Sequence, residues 1–514
     1  MGKQGALNAG PIARSPGLEK GDVMFETAEV GNRVDKAAYQ KELVRLRSGL
    51  LEAQRSLAQS KIAVVMLLGG VEGAGKAETV NKLLEWVDAR GVETNVMGDP
   101  TDEERERPPM WRFWRALPPK GRMGIFIGTW YTDPIVKRTF GAIGAGRFDV
   151  AMERIVDFET MLSHEGVLVF KVWLHIKKDT LCKRLDKLSR SKATRWRVNA
   201  RDWRYLKRYD EFRSISEKAL RRTGTGDAPW HIVEAADPRY RDITVGRLLM
   251  EAITDRLAQE EARPHVKPVP DRPKPPSPNI IRNLDLSLKL PAAKYEKRLA
   301  AGKVQINLLT RKLYEKQQSL ILVFEGPDAA GKGGAIRRMT SAMDARNYQH
   351  IAVAAPTDEE RAHPYLWRFW RPLPRRGRVT IYDRSWYGRV LVERIEGFCT
   401  REEWERAFAE INAFEEQLSE FGTIVLKFWL TLSAKEQLRR FKDREVTPYK
   451  QYKITEEDWR NRAKWDAYEA AAVQMIDLTS SQNAPWILVE AEDKSWARIK
   501  VMETVIANLK KALG

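Results

Sequence analysis

Apolar residues along this chain gather in short, nearly continuous runs rather than in strict alternation. KIAVVMLLGG, GVLVFKVWL and PWHIVEA in the first half are answered by SLILVFEG, GTIVLKFWL and PWILVEA in the second. Runs of this length, apolar on both faces, suit strands covered by helices on both sides of a parallel sheet. Between them the pattern turns helical, most plainly in the charged stretches Ala37–Ala58 and Ala292–Lys316. In each half a Gly-rich turn follows the first strand and leads into another helix. This alternation predicts an α/β fold, a mostly parallel sheet flanked by helices. The longest apolar runs, Ile62–Gly70 and Val167–Leu174, fall far short of the ~18–20 residues that cross a bilayer, so no membrane partner is expected.

The two halves are copies. TDEER at Thr101–Arg105 returns at Thr357–Arg361, a shift of 256 residues. The same shift aligns the WRFWR blocks at Trp111 and Trp367, Gly75-Lys76 with Gly331-Lys332, Trp130-Tyr131 with Trp386-Tyr387, and Pro229-Trp230 with Pro485-Trp486. A period this long marks a duplicated domain rather than a stacked array. The proline-rich stretch Glu261–Pro278 reads as an extended spacer. The expected organisation is a mobile segment over 1–35, a first domain over 36–260, a linker over 261–290 and a second domain over 291–514. The WRFWR tryptophans read as core packing, since both copies keep them.

Lys and Arg total 89 against 70 Asp and Glu, a formal charge of +19, which favours a polyanionic partner without choosing among nucleic acid, an anionic surface and a phosphorylated polymer. The two cysteines exclude a disulfide scaffold and a four-cysteine zinc site, and with an N-terminus that lacks an apolar core they suit the cytoplasm.

Candidate chemistry concentrates in the second half. ILVFEG is followed by Gly326-Pro-Asp-Ala-Ala-Gly331-Lys332-Gly333-Gly334, which is G-x-x-x-x-G-K between a strand and a helix. Backbone N–H groups of such a turn point at phosphate, and Lys332 adds a positive charge. The Ser or Thr that usually follows the lysine to hold Mg²⁺ is Gly333 here, so other oxygens must serve. Asp328 in the loop and Asp383 in TIYDRSWYGR are the candidate carboxylates, with an Asx turn and a strand-end cap as their structural alternatives. The stretch Arg439–Trp459 reads equally as a solvated charged face or as a lid bringing Arg444, Lys450 and Lys453 onto a phosphoryl group.

GPDAAGKGG, PTDEERAHPYLWRFWR, YDRSWYGRVLVER and DREVTPYKQYKITEEDW together resemble the second family of polyphosphate kinases, in its tandem-domain form, over roughly Val34–Leu513. The resemblance implies two tandem P-loop kinase-like domains, each with a helical or loop lid. It implies phosphoryl transfer from inorganic polyphosphate to a nucleotide, most typically AMP to ADP, with Mg²⁺ or Mn²⁺ as cofactor. By the same resemblance Asp328 and Asp383 become the metal-associated aspartates, Lys332 the P-loop lysine, and Arg384 and Arg444 the arginines on phosphate.

The first half departs from this pattern. At the 256-residue shift Asp328 becomes Glu72, Asp383 becomes Ile127, Arg384 becomes Gly128, Arg444 becomes Leu188, Lys450 becomes Thr194 and Gly334 becomes Glu78. Isoleucine ligates no metal, and a carboxylate at the helix N-terminus repels phosphate. The first half is expected to be chemically silent, a structural partner that stands in for a second subunit or extends a basic track. The alternatives are polyphosphate-dependent phosphorylation of ADP or GDP, an ATP-dependent nucleoside monophosphate kinase, and a non-enzymatic nucleic-acid binder, the last lacking any recognisable motif. A homo-oligomer is left open.

Overall fold

The structure is a computed structural model that describes residues 24–262, 264 and 266–514. Most of the segment expected to be mobile, residues 1–23, lies outside the described residues.

Ten strands form two five-stranded sheets. The first holds β1 (Ala63–Gly70), β2 (Val92–Val96), β3 (Met123–Ile127), β4 (Val167–His175) and β5 (Trp230–Glu234), in the order β2-β3-β1-β4-β5. The second holds β6 (Ser319–Glu325), β7 (Tyr348–Ala352), β8 (Val379–Asp383), β9 (Thr423–Thr431) and β10 (Trp486–Glu490), ordered β7-β8-β6-β9-β10. Every pairing is parallel. The apolar runs form β1, β4 and the edge strand β5 in the first sheet and β6, β9 and the edge strand β10 in the second, and every residue of β6 is buried. The edge strands β2 (VETNV) and β7 (YQHIA) are mostly exposed, which is why their sequences carry no apolar run.

In both sheets the first strand is central, and the next strands to pair with it lie on opposite sides. This is a topological switch point, where crevices open at the C-terminal strand ends. Helices that begin just past β1 and β6 therefore start at that crevice: Lys76–Trp86 and Lys332–Thr340. In the second sheet the helices Ala292–Glu315, Lys332–Thr340 and Lys494–Leu513 cover one face through a shared apolar core that includes Ile306, Leu322, Phe324, Ile336, Phe428 and Val505.

The chain divides into two compact units. The first comprises the described residues through Pro100, those of the stretch Arg112–Arg263, and Thr357–Trp367; the second comprises Thr101–Trp111, Pro264–Pro356 and Arg368–Gly514. Each unit thus takes its short TDEER helix from the other half of the sequence. Within the second unit Arg376 N donates to Glu106 O (3.1 Å) and Arg107 Nε to Leu373 O (3.0 Å); within the first, Lys120 N donates to Ala362 O (2.8 Å). The aromatic residues of both WRFWR blocks are buried. Among the described residues no helix is long and apolar enough to cross a membrane.

Each unit also buries the same ionic network. Lys427 Nζ donates to Glu415 Oε2 (2.7 Å), Tyr387 OH (2.9 Å) and Thr479 O (2.7 Å), while Trp386 Nε1 and Tyr387 OH donate to Glu415 Oε1. Lys171, Glu159, Tyr131, Trp130 and Thr223 repeat it in the first unit. Because both units keep it, although they differ at the P-loop, the network is structural. Burial raises the pKa of Glu415 and lowers that of Lys427. Lys427→Met is expected to cost about 3–5 kcal/mol, since it strands a buried carboxylate. The loss should be smaller near about pH 5 than about pH 8, because an acid whose folded pKa is raised destabilises only once pH rises far enough to ionise it. Urea denaturation at the two pH values measures both effects.

Candidate active site

The loop after β6 carries the site. Gly326 leaves the strand at φ 137°, and a Cβ there would lie 2.2 Å from Leu430 O, so only glycine fits. Gly331, at φ 110°, turns the chain into helix Lys332–Thr340. Arg440, buried beneath the loop, fixes its shape by donating to the carbonyls of Ala329 (2.9 Å), Ala330 (3.2 Å), Ala491 (2.7 Å) and Glu492 (2.8 Å). Arg184 does the same for Gly73, Ala235 and Ala236 in the first unit. Lys332 Nζ folds back onto Gly326 O (2.6 Å) and Pro327 O (3.3 Å), which keeps its charge at the mouth of the loop.

Asp328 is held at both carboxylate oxygens. Its Oδ1 accepts from Arg384 Nη2 (3.0 Å) and its Oδ2 from Asn461 Nδ2 (2.9 Å), while Gln437 Nε2 donates to its backbone oxygen (3.0 Å). Burial pushes its pKa up, but the Lys332 ammonium and the Arg384 guanidinium, with the bonds from Asn461 and Arg384, hold it below the ordinary carboxylate value. Arg384 also reaches Glu457 Oε1 (3.4 Å); removal from water opposes its charge, yet Asp328, Glu325 and Glu457 hold it more firmly protonated than usual.

Asp383 ends β8, and its Oδ2 lies 3.8 Å from where a Cβ on Gly333 would sit. The oxygen thus flanks the place where other P-loops put a metal-binding hydroxyl. Among the described residues no hydrogen bond or ion pair engages the Asp383 side chain. Hard oxygens at this place fit Mg²⁺, which needs only one or two protein carboxylates beside phosphate and water.

The lid is built from helix Ala434–Val446, a 3₁₀ turn over Pro448–Lys453 and helix Glu456–Ala463. Its second helix touches the site through Glu457 and Asn461, one turn apart. The three cations expected there make contacts within the lid: Arg444 Nη1 donates to Lys453 O (2.9 Å), Lys450 pairs with Asp443 (2.8 Å), and Lys453 lies over the Tyr452 ring. Val446, Tyr449 and Tyr452 are exposed at this turn.

Sequence reasoning did not single out Glu325, Asn461 or Glu457. Glu325 is buried at the end of β6, accepts from Ser385 Oγ (2.8 Å), and has its pKa raised by burial despite Lys332 and Arg384 nearby. The repeat could have shown it, since its counterpart is Gly69. Nothing in the sequence marks Asn461.

A cavity of about 100 Å³ opens beside Asp328 and Arg384, walled by Ile281, Trp429, Trp465 and Tyr468. At the equivalent place in the first unit Phe25 is fully buried and stacks on His175, the rings 4.6 Å apart and 4° from parallel. Tyr205 and Phe212, also buried, replace Asn461 and Tyr468. Lys76 is neutralised by Glu72 (3.0 Å), and Glu78 is ion-paired with Arg197. The first copy has filled its cavity and neutralised its lysine.

Comparison with known proteins agrees with this division into two copies. The family model described as Polyphosphate kinase 2 matches residues 33–261 and again 289–513. The chain is 51% identical over 486 residues to a protein of Pseudomonas aeruginosa named polyphosphate:AMP phosphotransferase, covering 94% of this chain and 98% of that one. It is 48% identical to a protein of the same name from Pseudomonas syringae pv. tomato, covering 96% and 99%. A crystal structure from Pseudomonas aeruginosa, described under the polyphosphate kinase 2 name, superposes with a TM-score of 0.86 at 50% identity, over 95% of this chain and 99% of that chain. With both halves matched by one model, the chain belongs to the polyphosphate kinase 2 family as a tandem of its P-loop kinase-like domain.

Proposed function

We propose that this chain transfers a phosphoryl group from inorganic polyphosphate to AMP, forming ADP, with the chemistry confined to the second unit and Mg²⁺, or Mn²⁺ in its place, as the metal. One observation carries the reading. Lys332, Asp328 with Arg384, and Asp383 surround an open P-loop beside an open cavity in the second unit, whereas the first unit has lost or blocked each of them. The near full-length relatives named polyphosphate:AMP phosphotransferase support the choice of donor and acceptor.

In the reaction an ionised oxygen of the AMP phosphate attacks the terminal phosphorus of the donor, and the P–O bond to the shortened chain breaks. The nucleophile is already an anion, so the protein needs no general base; its task is to place two polyanions together and stabilise charge between them. Lys332 and the loop N–H groups take the transferred phosphoryl group. Arg384, held at the crevice by Asp328 and Glu457, faces the acceptor side, where the apolar walls of the cavity suit a nucleoside. Asp383 and Asp328 are the residues that would hold the metal, whose positive charge offsets that of the phosphates. The lid cations Arg444, Lys450 and Lys453 would leave their contacts within the lid to engage phosphate as it closes.

Assaying the purified protein with AMP, ADP, GMP and GDP against polyphosphate and ATP tests this. AMP with polyphosphate should give the highest kcat/KM. Preference for ATP as donor, or for a nucleoside diphosphate as acceptor, would replace the reading. Binding of the two substrates should also differ in salt. Apparent affinity for polyphosphate should fall with a log–log slope of roughly −0.7 to −0.9 per neutralised phosphate, while that for AMP changes little. A titration from low to moderate salt measures both.

A further inference from the structure

Two cations beside the P-loop have no part in the site described so far. Gly333 and Gly334 open helix Lys332–Thr340, yet neither has a positive φ that would require glycine. Packing does not require it either. A Cβ on Gly333 would meet only Asp383 Oδ2 at 3.8 Å, and one on Gly334 only the Arg498 guanidinium, at 3.5 and 3.7 Å, both ordinary contact distances. The pair leaves the first helical turn bare where it faces Arg498.

Arg498 and Lys494 lie one turn apart on helix Lys494–Leu513. Among the described residues neither side chain has a hydrogen bond or an ion pair. The carboxylates nearby are engaged: Glu436 by Arg439 and Arg440, Asp443 by Lys450, and Glu492 by Ser433. Packing around the Lys494 ammonium, together with repulsion from Arg440, Lys450, Arg439 and Arg498, lowers its pKa. A row of cations without counter-ions raises the free energy of the folded chain unless an anion joins it. The first unit supplies an internal control, because it has Pro238 for Lys494, Asp242 for Arg498 and Glu78 for Gly334. There Asp242 accepts from Arg241 Nε (2.8 Å) and Thr79 Oγ1 (3.2 Å), so the silent copy has no cation row at this place.

We infer that Arg498 and Lys494, with Lys450 of the lid, bind the non-reacting phosphates of a long linear polyanion whose terminal phosphoryl group sits at Lys332. The bare turn at Gly333-Gly334 lets the chain pass from the P-loop to these cations. A mononucleotide would not reach a row of this kind, whereas each further phosphate of a polymer can. The inference rests on the function proposed above.

The test compares long-chain polyphosphate with the shortest chain that the wild type turns over, at saturating AMP. Arg498→Ala and Lys494→Ala should each raise KM for the long donor by about tenfold, the scale of one charge-assisted contact. The log–log salt slope for that donor should fall by about 1 for each cation removed. The KM increase for the shortest donor should be several-fold smaller, and Arg498→Asp, which installs the first unit's residue, should act more strongly than Arg498→Ala. Lys510→Ala, an exposed cation at the far end of the same helix, controls for net charge. Equal losses for short and long donors would place both residues at the reacting phosphates and overturn the inference, as would an unchanged salt slope. If the wild type turned over no polyphosphate at all, the proposed function would fail first and this inference with it.

Discussion

Replacing Lys332 by alanine is expected to lower turnover by about a hundred- to a thousandfold, the scale of one lost electrostatic contact at a developing charge. Lys76→Ala, at the equivalent position, should cost far less. The asymmetry follows from what surrounds the two ammonium groups rather than from the lysines themselves. Both fold back onto loop carbonyls, Lys332 onto Gly326 and Pro327, Lys76 onto Gly70 and Val71. Lys76 is also paired with Glu72 at 3.0 Å, and this lysine holds the Glu72 pKa down against burial. An ammonium so neutralised has little field left for a phosphate. Next to it Glu78, ion-paired with Arg197, occupies the first turn of the helix, where an anion would have to dock. Among the described residues no carboxylate is hydrogen-bonded to Lys332: its helix starts with two glycines, and the oxygens of Asp328 are taken by Arg384 and Asn461. Turnover of both variants, at matched thermal stability, measures the difference. Comparable losses at the two positions would mean that both units bind reacting phosphate, and the assignment of chemistry to the second unit would fall.

The sheet, the P-loop and the duplication were legible because each rests on a local signal. Apolar runs mark β1, β4, β6 and β9, the glycines mark the turn, and TDEER marks the repeat. The polar edge strands β2 and β7 were not, since a strand exposed at a sheet edge needs no apolar run. In the site, Lys332 and Asp328 could be found from the loop motif, and Asp383 from its place at a strand end. Asn461 and Glu457 come from a lid helix, 133 residues beyond Asp328 and 73 beyond Arg384, and only the fold brings them together.

One signal lay in the repeat. Arg384 and Ala329 have φ of 62° and 61°, in the left-handed region that costs a non-glycine residue about 1–2 kcal/mol. The first copy has glycine at both places, Gly128 at 77° and Gly73 at 78°. The first copy is free of this strain, and on the proposed division of labour an arginine that retains it is held for its side chain. Read in that direction, a glycine opposite a charged residue in a duplicated chain points to a functional position.

Asp383→Asn should cause the second large loss, on the order of a hundred- to a thousandfold in kcat, because it weakens the site's hold on a metal that supplies several kcal/mol of charge stabilisation. The prediction is stronger for Asp383 than for Asp328. Asp328 has both oxygens engaged, by Arg384 and Asn461, so Asp328→Asn would also release a guanidinium and one lid contact, mixing metal loss with misplacement. Asp383 carries no such second duty, and its Oδ2 lies where Gly333 leaves space beside the first helical turn. Its loss should therefore show chiefly as a raised Mg²⁺ requirement, with thermal stability little changed. A Mg²⁺ titration of turnover, repeated with Mn²⁺, measures this directly. For Asp328→Asn the Mg²⁺ dependence should shift as well, accompanied by a higher KM for the acceptor as Arg384 loses its partner. If Asp383→Asn kept near wild-type turnover with an unshifted metal requirement, Asp383 would be only a strand-end cap, and the metal would have to be held by Asp328 and phosphate oxygens.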